Sequence, residues 1–584
     1  MCGIAGIVTA DGRLPDAALL DRLTTALAHR GPDGSGRHVR PGVGLVQTRL
    51  AIIDLGGGRQ PILDSVGRAI VANGEIYNYR ELRAELADET FATHSDCEPP
   101  LHLWPRQGAD FAAGLRGMYA IAVDDPQTGR VALARDPFGI KPLYLCEGPF
   151  GLAFASEPQA LIAAGLAPAN LDPKRLAEVL QVQFTTGTAT VFPAIRRLAP
   201  GETLVVERGR VVERRRRDAL PEGGPLDGDP ESLLATLDRV LTESVDLHQR
   251  ADVPYGMFLS GGIDSSALLA AMARLNPRPV LAFTAGFPGT GVPDERDHAR
   301  ALAQAVGARH VEVEFGEADF WDLLPAVAAA MDDPAADYAC LPTFKLARAA
   351  RHEVKVILCG EGGDELFGGY GRYRAAMRPW PLGRKMRRRG TFDGLEILRD
   401  LPRDWRAGLA ATEHGSRRPG RSRLQAAQAA DCADWLANDL LVKADRCLMA
   451  NGVEGRVPFL DPAVAAFAFR LPDAMKVRQG MGKWLLRQWL HRALPAARPF
   501  DKKRGFTVPV AEWIARRPEI GQLVARQPLI AELARPEAVE RLFRACDRNT
   551  GFACWTLLFL ALWHRRHVLG RHCDGDAFAA LGDG

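Results

Sequence analysis

Cysteine is scarce in this chain: ten residues in 584, scattered, with no CxxC pair and no Cys/His cluster at zinc-site spacing. That pattern speaks against a disulfide-stapled secreted scaffold and against a zinc-finger array, and fits reduced, mostly buried thiols in a cytoplasmic protein. No apolar run approaches the roughly 20 residues of a membrane span. The first residues also lack the basic-then-apolar pattern of a signal peptide. The expectation is a soluble chain with no membrane partner. A strong charge bias is missing too. With 74 basic and 71 acidic side chains the net charge is +3, so nothing points to nucleic acid. There is no internal repeat, and no Gly-rich loop ends in the GKS or GKT of a Walker A motif.

What is present falls into two textures. Residues 2–217 are rich in short apolar or alternating runs such as "GIAGIVT", "RAIVANGEIYN" and "RVALARD", punctuated by Gly, Pro, Asp and Asn, with helical stretches at "PDAALLDRLTTALAHR" and "YRELRAELA". Strands with helices outside them predict a layered α+β domain. Residues 218–230, dominated by Pro, Gly and Asp, read as a linker. The preceding Arg214–Arg217 run reads as a solvated strand end. From 231 to 520, short strands ("VPYGMFL", "PVLAFTAGF", "HVEVEF", "VKVILC") alternate with helices, which predicts a parallel sheet covered on both faces. The chain turns mostly helical after about residue 430, and 521–584 form a helical extension without a recognisable motif. The basic, Gly-rich 383–423 region reads as a surface excursion.

The most specific string in the second half is "FLSGGIDSS". A strand ends at Leu259, a loop of Ser260, Gly261 and Gly262 follows, and a helix opens around Asp264, Ser265 and Ser266. Such a turn aims backbone N–H groups and the positive helix end at an anion. It resembles the pyrophosphate loop of enzymes that cleave ATP to AMP and pyrophosphate. "CGEGGDELFGGY" follows another apolar strand and brings Cys359, Gly360, Glu361, Asp364 and Glu365 to a strand's carboxyl end, where ligands bind in open parallel sheets. Asp264 and Asp364 are the natural pair to hold Mg²⁺, which takes carboxylate and phosphate oxygens. Lys483, opening an amphipathic helix at "GMGKWLLRQ", supplies a fixed cation for developing charge. "KADRCLMANGVEGRVPFLD" concentrates Asp445, Arg446, Glu454, Arg456 and Asp461. With Glu361, the first four are candidates for the acceptor site.

At the other end stands "MCGIAGIV", with Cys2 directly after Met1. Together with "HRGPDG", "RLAIID", "NGEIYNY" and "SDCE" in that order, it resembles the glutaminase domain of class II amidotransferases, which are amino-terminal nucleophile (Ntn) hydrolases. Joined to the second-half motifs, the chain resembles the glutamine-hydrolysing asparagine synthetases from residue 1 to about 515. The resemblance implies an N-terminal four-layer αββα Ntn-hydrolase domain and a C-terminal α/β ATP pyrophosphatase domain with extra helices. Removal of Met1 would give Cys2 its own α-amine as base, so no histidine partner is required. The resemblance further implies that Arg49 binds the glutamine carboxylate. Asp96, helped by Glu75, binds its ammonium group. The Asn73 side chain and Gly74 N–H form the oxyanion hole, and Arg30 positions the loop around Cys2. A homodimer follows by analogy alone.

Three departures stand out. Pro99-Pro100 open the helix after "SDCE" where the family has aliphatic residues, Arg216-Arg217 replace an aromatic pair, and Cys359 stands for a serine. None removes a named catalytic group. The expected reaction converts aspartate, glutamine and ATP to asparagine, glutamate, AMP and pyrophosphate. The alternatives are the same chemistry on a peptide, sugar-acid or natural-product carboxylate, an intramolecular ligase of the β-lactam synthetase type, and a regulatory protein that only binds glutamine or nucleotide. An intact Cys2 argues against the intramolecular ligase. With Asp264, Asp364 and Lys483 also intact, it argues against the regulatory protein.

Overall fold

The computed structural model describes residues 2–292, 294–378, 386–399, 402, 404–501, 507–572 and 574–582. Residues 383–385, 400, 401 and 403 of the basic 383–423 segment lie outside them.

Two antiparallel six-stranded sheets build the amino-terminal half. In the first, Gly3–Thr9 is central, pairing with Val43–Arg49 on one side and Gly151–Ala155 on the other. In the second, Ala69–Ile76 pairs with Gly117–Asp125 in an eight-residue register that sets Asn73 opposite Ala120 and Gly74 opposite Tyr119. Ile4, Val8 and Leu45 of the first sheet meet Val71, Ala120 and Leu133 of the second between the layers. Side chains on successive strand residues point to opposite faces. Ala5 and Ile7 therefore face outward, toward the helix Ala17–Ala26. Ala72, Ile121 and Val123 face the helices Tyr79–Glu85 and Pro99–Gln107. The result is the αββα sandwich. Burial on both faces explains why these strands read as continuous apolar runs. Pro99 sits in the first helical turn, where its missing N–H would have no intrahelical partner anyway.

Beyond strand Arg210–Arg216 the chain runs without helix or strand to the helix Pro230–His248, capped by Asp229. A five-stranded parallel sheet follows in the order Arg309–Glu314, Leu281–Gly286, Tyr255–Phe258, Val356–Leu358, Glu454–Arg456. The first strand in sequence, Tyr255–Phe258, lies next to the fourth, Val356–Leu358. The direction of winding reverses there, and a crevice opens at the carboxyl ends. The fifth strand, Glu454–Arg456, is only three residues long and lies inside the charged motif, so no periodicity reveals it.

The carboxyl-terminal helices are part of the core. Gly551–His567 is buried along most of its length and packs on Glu317–Ala330. Trp555 and Trp563 donate their indole N–H groups to the carbonyls of Ala336 (2.6 Å) and Met331 (2.9 Å). One continuous apolar cluster runs from the outer face of the first sheet into these helices. Among the described residues no helix is long and apolar enough to cross a membrane, and the nine described cysteines are all free thiols.

Candidate active site

The crevice at the reversal point is a cavity of about 550 Å³ lined by both Gly-rich turns, Lys443 and Lys483. After Phe258 the chain bends through Gly261, whose φ of +69° is a left-handed conformation that glycine adopts without strain. The Ser260 N–H donates to Ser265 Oγ at 3.2 Å, and Ser265 Oγ donates to the Gly262 carbonyl at 3.2 Å. The loop is thereby folded onto the first turn of helix Ile263–Leu275. Asp264 in that turn and Asp364 in the facing turn both pair with Lys483, whose Nζ lies 2.7 Å from Asp364 Oδ1 and also contacts Asp264 Oδ2. Burial works against the Lys483 charge, but the two carboxylates overcome it and raise its pKa. The glycines of "GEGGDELFGG" make room for this cluster. A Cβ on Gly363 would stand 2.4 Å from Asp264 Oδ1, and one on Gly369 would stand 1.8 Å from Asp364 Oδ1.

Two hard-oxygen carboxylates converging on one cation position suit Mg²⁺, with phosphate oxygens and water completing its shell. No group of three His, Cys, Asp or Glu side chains among the described residues could hold a metal by itself, so the remaining ligands would have to come from substrate and solvent. Ser266 is buried at the base of the loop, and Cys359 and Gly360 lie beside it on the cavity wall. Burial pushes the Cys359 thiol well up, which leaves it as the neutral thiol.

The second concentration of candidates surrounds Cys2, which is nearly buried at the start of the central strand. Burial raises its thiol pKa, against a hydrogen bond from the Leu50 backbone N–H. Nearby, both amide atoms of Asn73 are buried and make no hydrogen bond among the described residues. An unpartnered buried amide costs roughly 1–3 kcal/mol and is the signature of a group awaiting a ligand. Gly74 has φ +154°, and a Cβ there would meet the Met118 carbonyl at 2.0 Å. Asp96 accepts the Ile76 N–H at 2.8 Å, and burial lifts its pKa to about 6. Burial together with Asp96 drives Glu75 well above the usual carboxylate range. Arg49 donates to the carbonyls of Asp54 (2.7 Å) and Leu55 (3.2 Å), which fixes its guanidinium in the loop.

Of the acceptor candidates, only Glu361 lines the cavity. The other four join the two halves of the molecule. Arg30, wholly buried, donates to Asp445 through both Nη atoms (2.8 and 3.0 Å), to Glu157 (2.7 Å) and to the Cys2 carbonyl (3.3 Å). Arg446 pairs with Asp445 and with Asp332, at 2.8 and 2.7 Å. Burial opposes ionisation of Asp445, but Arg30 overrides it and keeps the carboxylate charged. Arg456 bonds Glu454 at 2.6 Å and lies 3.3 Å from Glu75. The adjoining residues Lys443 and Ala444 do reach the cavity. One helix, Leu441–Met449, thus lines the cavity and grips the backbone of Cys2 through Arg30.

Sequence reasoning passed over several partners. Asp332, Glu157 and Gln47 carry no motif. The Gln47 amide is buried beside the Cys2 strand without a hydrogen bond among the described residues. Lys443 opens a quoted motif and pairs with Asp337 at 3.0 Å. Adjacent aspartates in the apolar "MDDPAADY" stretch were the one available signal for Asp332.

Comparison with known proteins bears on both halves. The glutamine amidotransferase domain family matches residues 1–216, and the asparagine synthase family matches residues 236–565. Glutamine-hydrolyzing asparagine synthetase 1 of Bacillus subtilis (strain 168) is 30% identical over 98% of both chains. Asparagine synthetase B of Escherichia coli K12 is 30% identical over 91% of this chain and 86% of its own. A Mycobacterium tuberculosis chain provisionally named for the same activity is 34% identical over 97% of both.

Proposed function

The chain belongs to the asparagine synthase family, and from that premise we propose that it makes L-asparagine from L-aspartate, taking nitrogen from glutamine and driving force from cleavage of ATP to AMP and pyrophosphate. The observation that carries this reading is the pairing in one chain of a buried Cys2 beside an orphaned Asn73 amide with a serine-glycine loop facing Asp264, Asp364 and Lys483.

With Met1 removed, the Cys2 α-amine takes the thiol proton and the sulfur attacks the glutamine side-chain amide. Burial has raised the thiol pKa, so an adjacent base is needed. Asn73 Nδ2 and the Gly74 N–H donate to the oxyanion, and collapse of the tetrahedral species expels ammonia and leaves a thioester, which water hydrolyses to glutamate. Arg49 and Asp96 hold the α-carboxylate and α-ammonium groups.

In the second domain the loop N–H groups and Ser260 bind the departing phosphates, and Lys483 balances charge as it develops. The aspartate side-chain carboxylate displaces pyrophosphate from the α-phosphorus of ATP. Ammonia then attacks the acyl carbon and releases AMP. Asp264 and Asp364 would hold Mg²⁺, which when bound screens the pyrophosphate charge. Sparse, scattered cysteines support a cytoplasmic setting.

Phosphorus NMR of the full reaction tests the proposal. AMP and pyrophosphate should appear only when aspartate is present. Formation of ADP and phosphate, or nucleotide cleavage indifferent to aspartate, would overturn it.

A further inference from the structure

Parts of the two basic sequence features that amidation does not use meet at a second cavity: Arg216 of the Arg214–Arg217 run, and Arg418 and Arg421 of the 383–423 stretch. The cavity has a volume of about 570 Å³ and lies between the domains. Arg216 enters it from the end of strand Arg210–Arg216. Arg418 and Arg421 enter from the segment after helix Ala407–Gly415. Arg135 and Arg197 of the first domain complete the set, against two acidic lining residues, Asp218 and Asp434.

The positive charges outnumber their partners. Arg418 pairs with Asp218 at 2.5 Å and with Glu222 at 3.7 Å, and Arg197 pairs with Asp333 at 2.6 Å. Among the described residues Arg135 donates to the carbonyls of Lys141, Leu198 and Gly139, and Asp136 partly offsets its charge. Among the described residues Arg421 gives one hydrogen bond, to the Ser416 carbonyl at 3.2 Å, and its Nε is buried without an acceptor. No carboxylate lies within ion-pair distance of Arg216 or Arg421 among the described residues. Burial and then the charge of Arg418 lower the Arg421 pKa, against the attraction of Asp218 and Glu222. The carboxylate of Asp434 accepts from the Gly187 N–H at 2.7 Å, and its ionisation is opposed by burial.

We propose that this inter-domain cavity is a binding site, separate from the nucleotide pocket, for a small polyanion carrying two or more phosphate or carboxylate groups. Guanidinium forks match both groups in shape and charge. The volume suits a small metabolite, and residues from both domains would contact it, so the bound anion bridges them.

Calorimetric titration of the full-length enzyme with pyrophosphate and with citrate tests this. Wild type should bind citrate at one site. Pyrophosphate should bind at that site and also in the nucleotide pocket. The Arg216→Gln/Arg421→Gln double variant should weaken the cavity site by about tenfold per arginine, with nucleotide-pocket binding and ammonia-dependent asparagine synthesis unchanged. Arg216→Lys/Arg421→Lys should recover part of the loss. Citrate binding with pyrophosphate confined to the nucleotide pocket identifies carboxylate as the group recognised, and two pyrophosphate sites without a citrate site identify phosphate. A double variant that titrates like wild type, or a wild type with one pyrophosphate site and no citrate site, overturns the proposal.

Discussion

The two reaction centres are prepared in opposite ways. Around Cys2, preparation is by desolvation: the Asn73 and Gln47 amides are buried with no partner among the described residues, so glutamine fills hydrogen bonds that the fold left open. At the loop pocket, preparation is by charge balance: Lys483 is held between Asp264 and Asp364, and Lys443 is held by Asp337. Magnesium and phosphate must there replace contacts already made. The contrast follows from the chemistry. An amide is neutral and is recognised by dipoles in a dry site, whereas pyrophosphate is a polyanion that needs cations in reserve.

The sharpest break between the centres is Cys2→Ala. Glutamine-dependent synthesis should vanish while ammonia-dependent synthesis persists, measured as asparagine formed from each nitrogen source. Asp264→Asn should do the reverse, lowering pyrophosphate release by about a hundredfold or more and sparing most glutamate release. Gly369→Ala should copy it by pressing a methyl group onto Asp364.

A variant that blurs the comparison is Asp445→Asn. The residue belongs to the second domain yet bonds the arginine that holds the Cys2 backbone. Removing its charge leaves Arg30 with Glu157 alone and should cost about 3 kcal/mol of stability, read by denaturant titration. Glutamate release should also fall, by about tenfold, with kcat reduced more than KM is raised. The smallest effect is on pH. Burial lifts Asp96 to about 6 in the free enzyme, and its anionic form is the one that binds an ammonium group. As pH drops through 6 the carboxylate is protonated and kcat/KM for glutamine should decline, by about tenfold per unit below that value. An acid limb near 4 would mean that Asp96 is not the group responsible.

Much of the fold was legible because its signals are local. Continuous apolar strands and glycines at tight turns each follow from neighbouring residues, whereas Pro230, read as the end of the linker, opens a helix capped by Asp229. The Gly-rich loops could be read for the same reason: Gly261 takes a left-handed turn and a Cβ on Gly369 would crowd Asp364 of its own motif, whereas Gly363 is required by Asp264 of the other loop. What escaped is non-local. Asp445 and Arg446 look like acceptor ligands in sequence, and only the meeting of residue 30 with residue 445 shows them in an inter-domain ion-pair network. The strand Glu454–Arg456 is too short for periodicity to reveal. Asp332 and Glu157 acquire meaning only as partners of arginines more than 100 positions away.

The most direct test of two unlike centres serving one reaction follows the nitrogen itself. The enzyme is supplied with aspartate, ATP and glutamine labelled with nitrogen-15 in the side-chain amide, and the products are weighed by mass spectrometry. The account predicts asparagine one mass unit heavier, formed in step with AMP and glutamate. Labelled ammonium accumulating beside unchanged aspartate would contradict it.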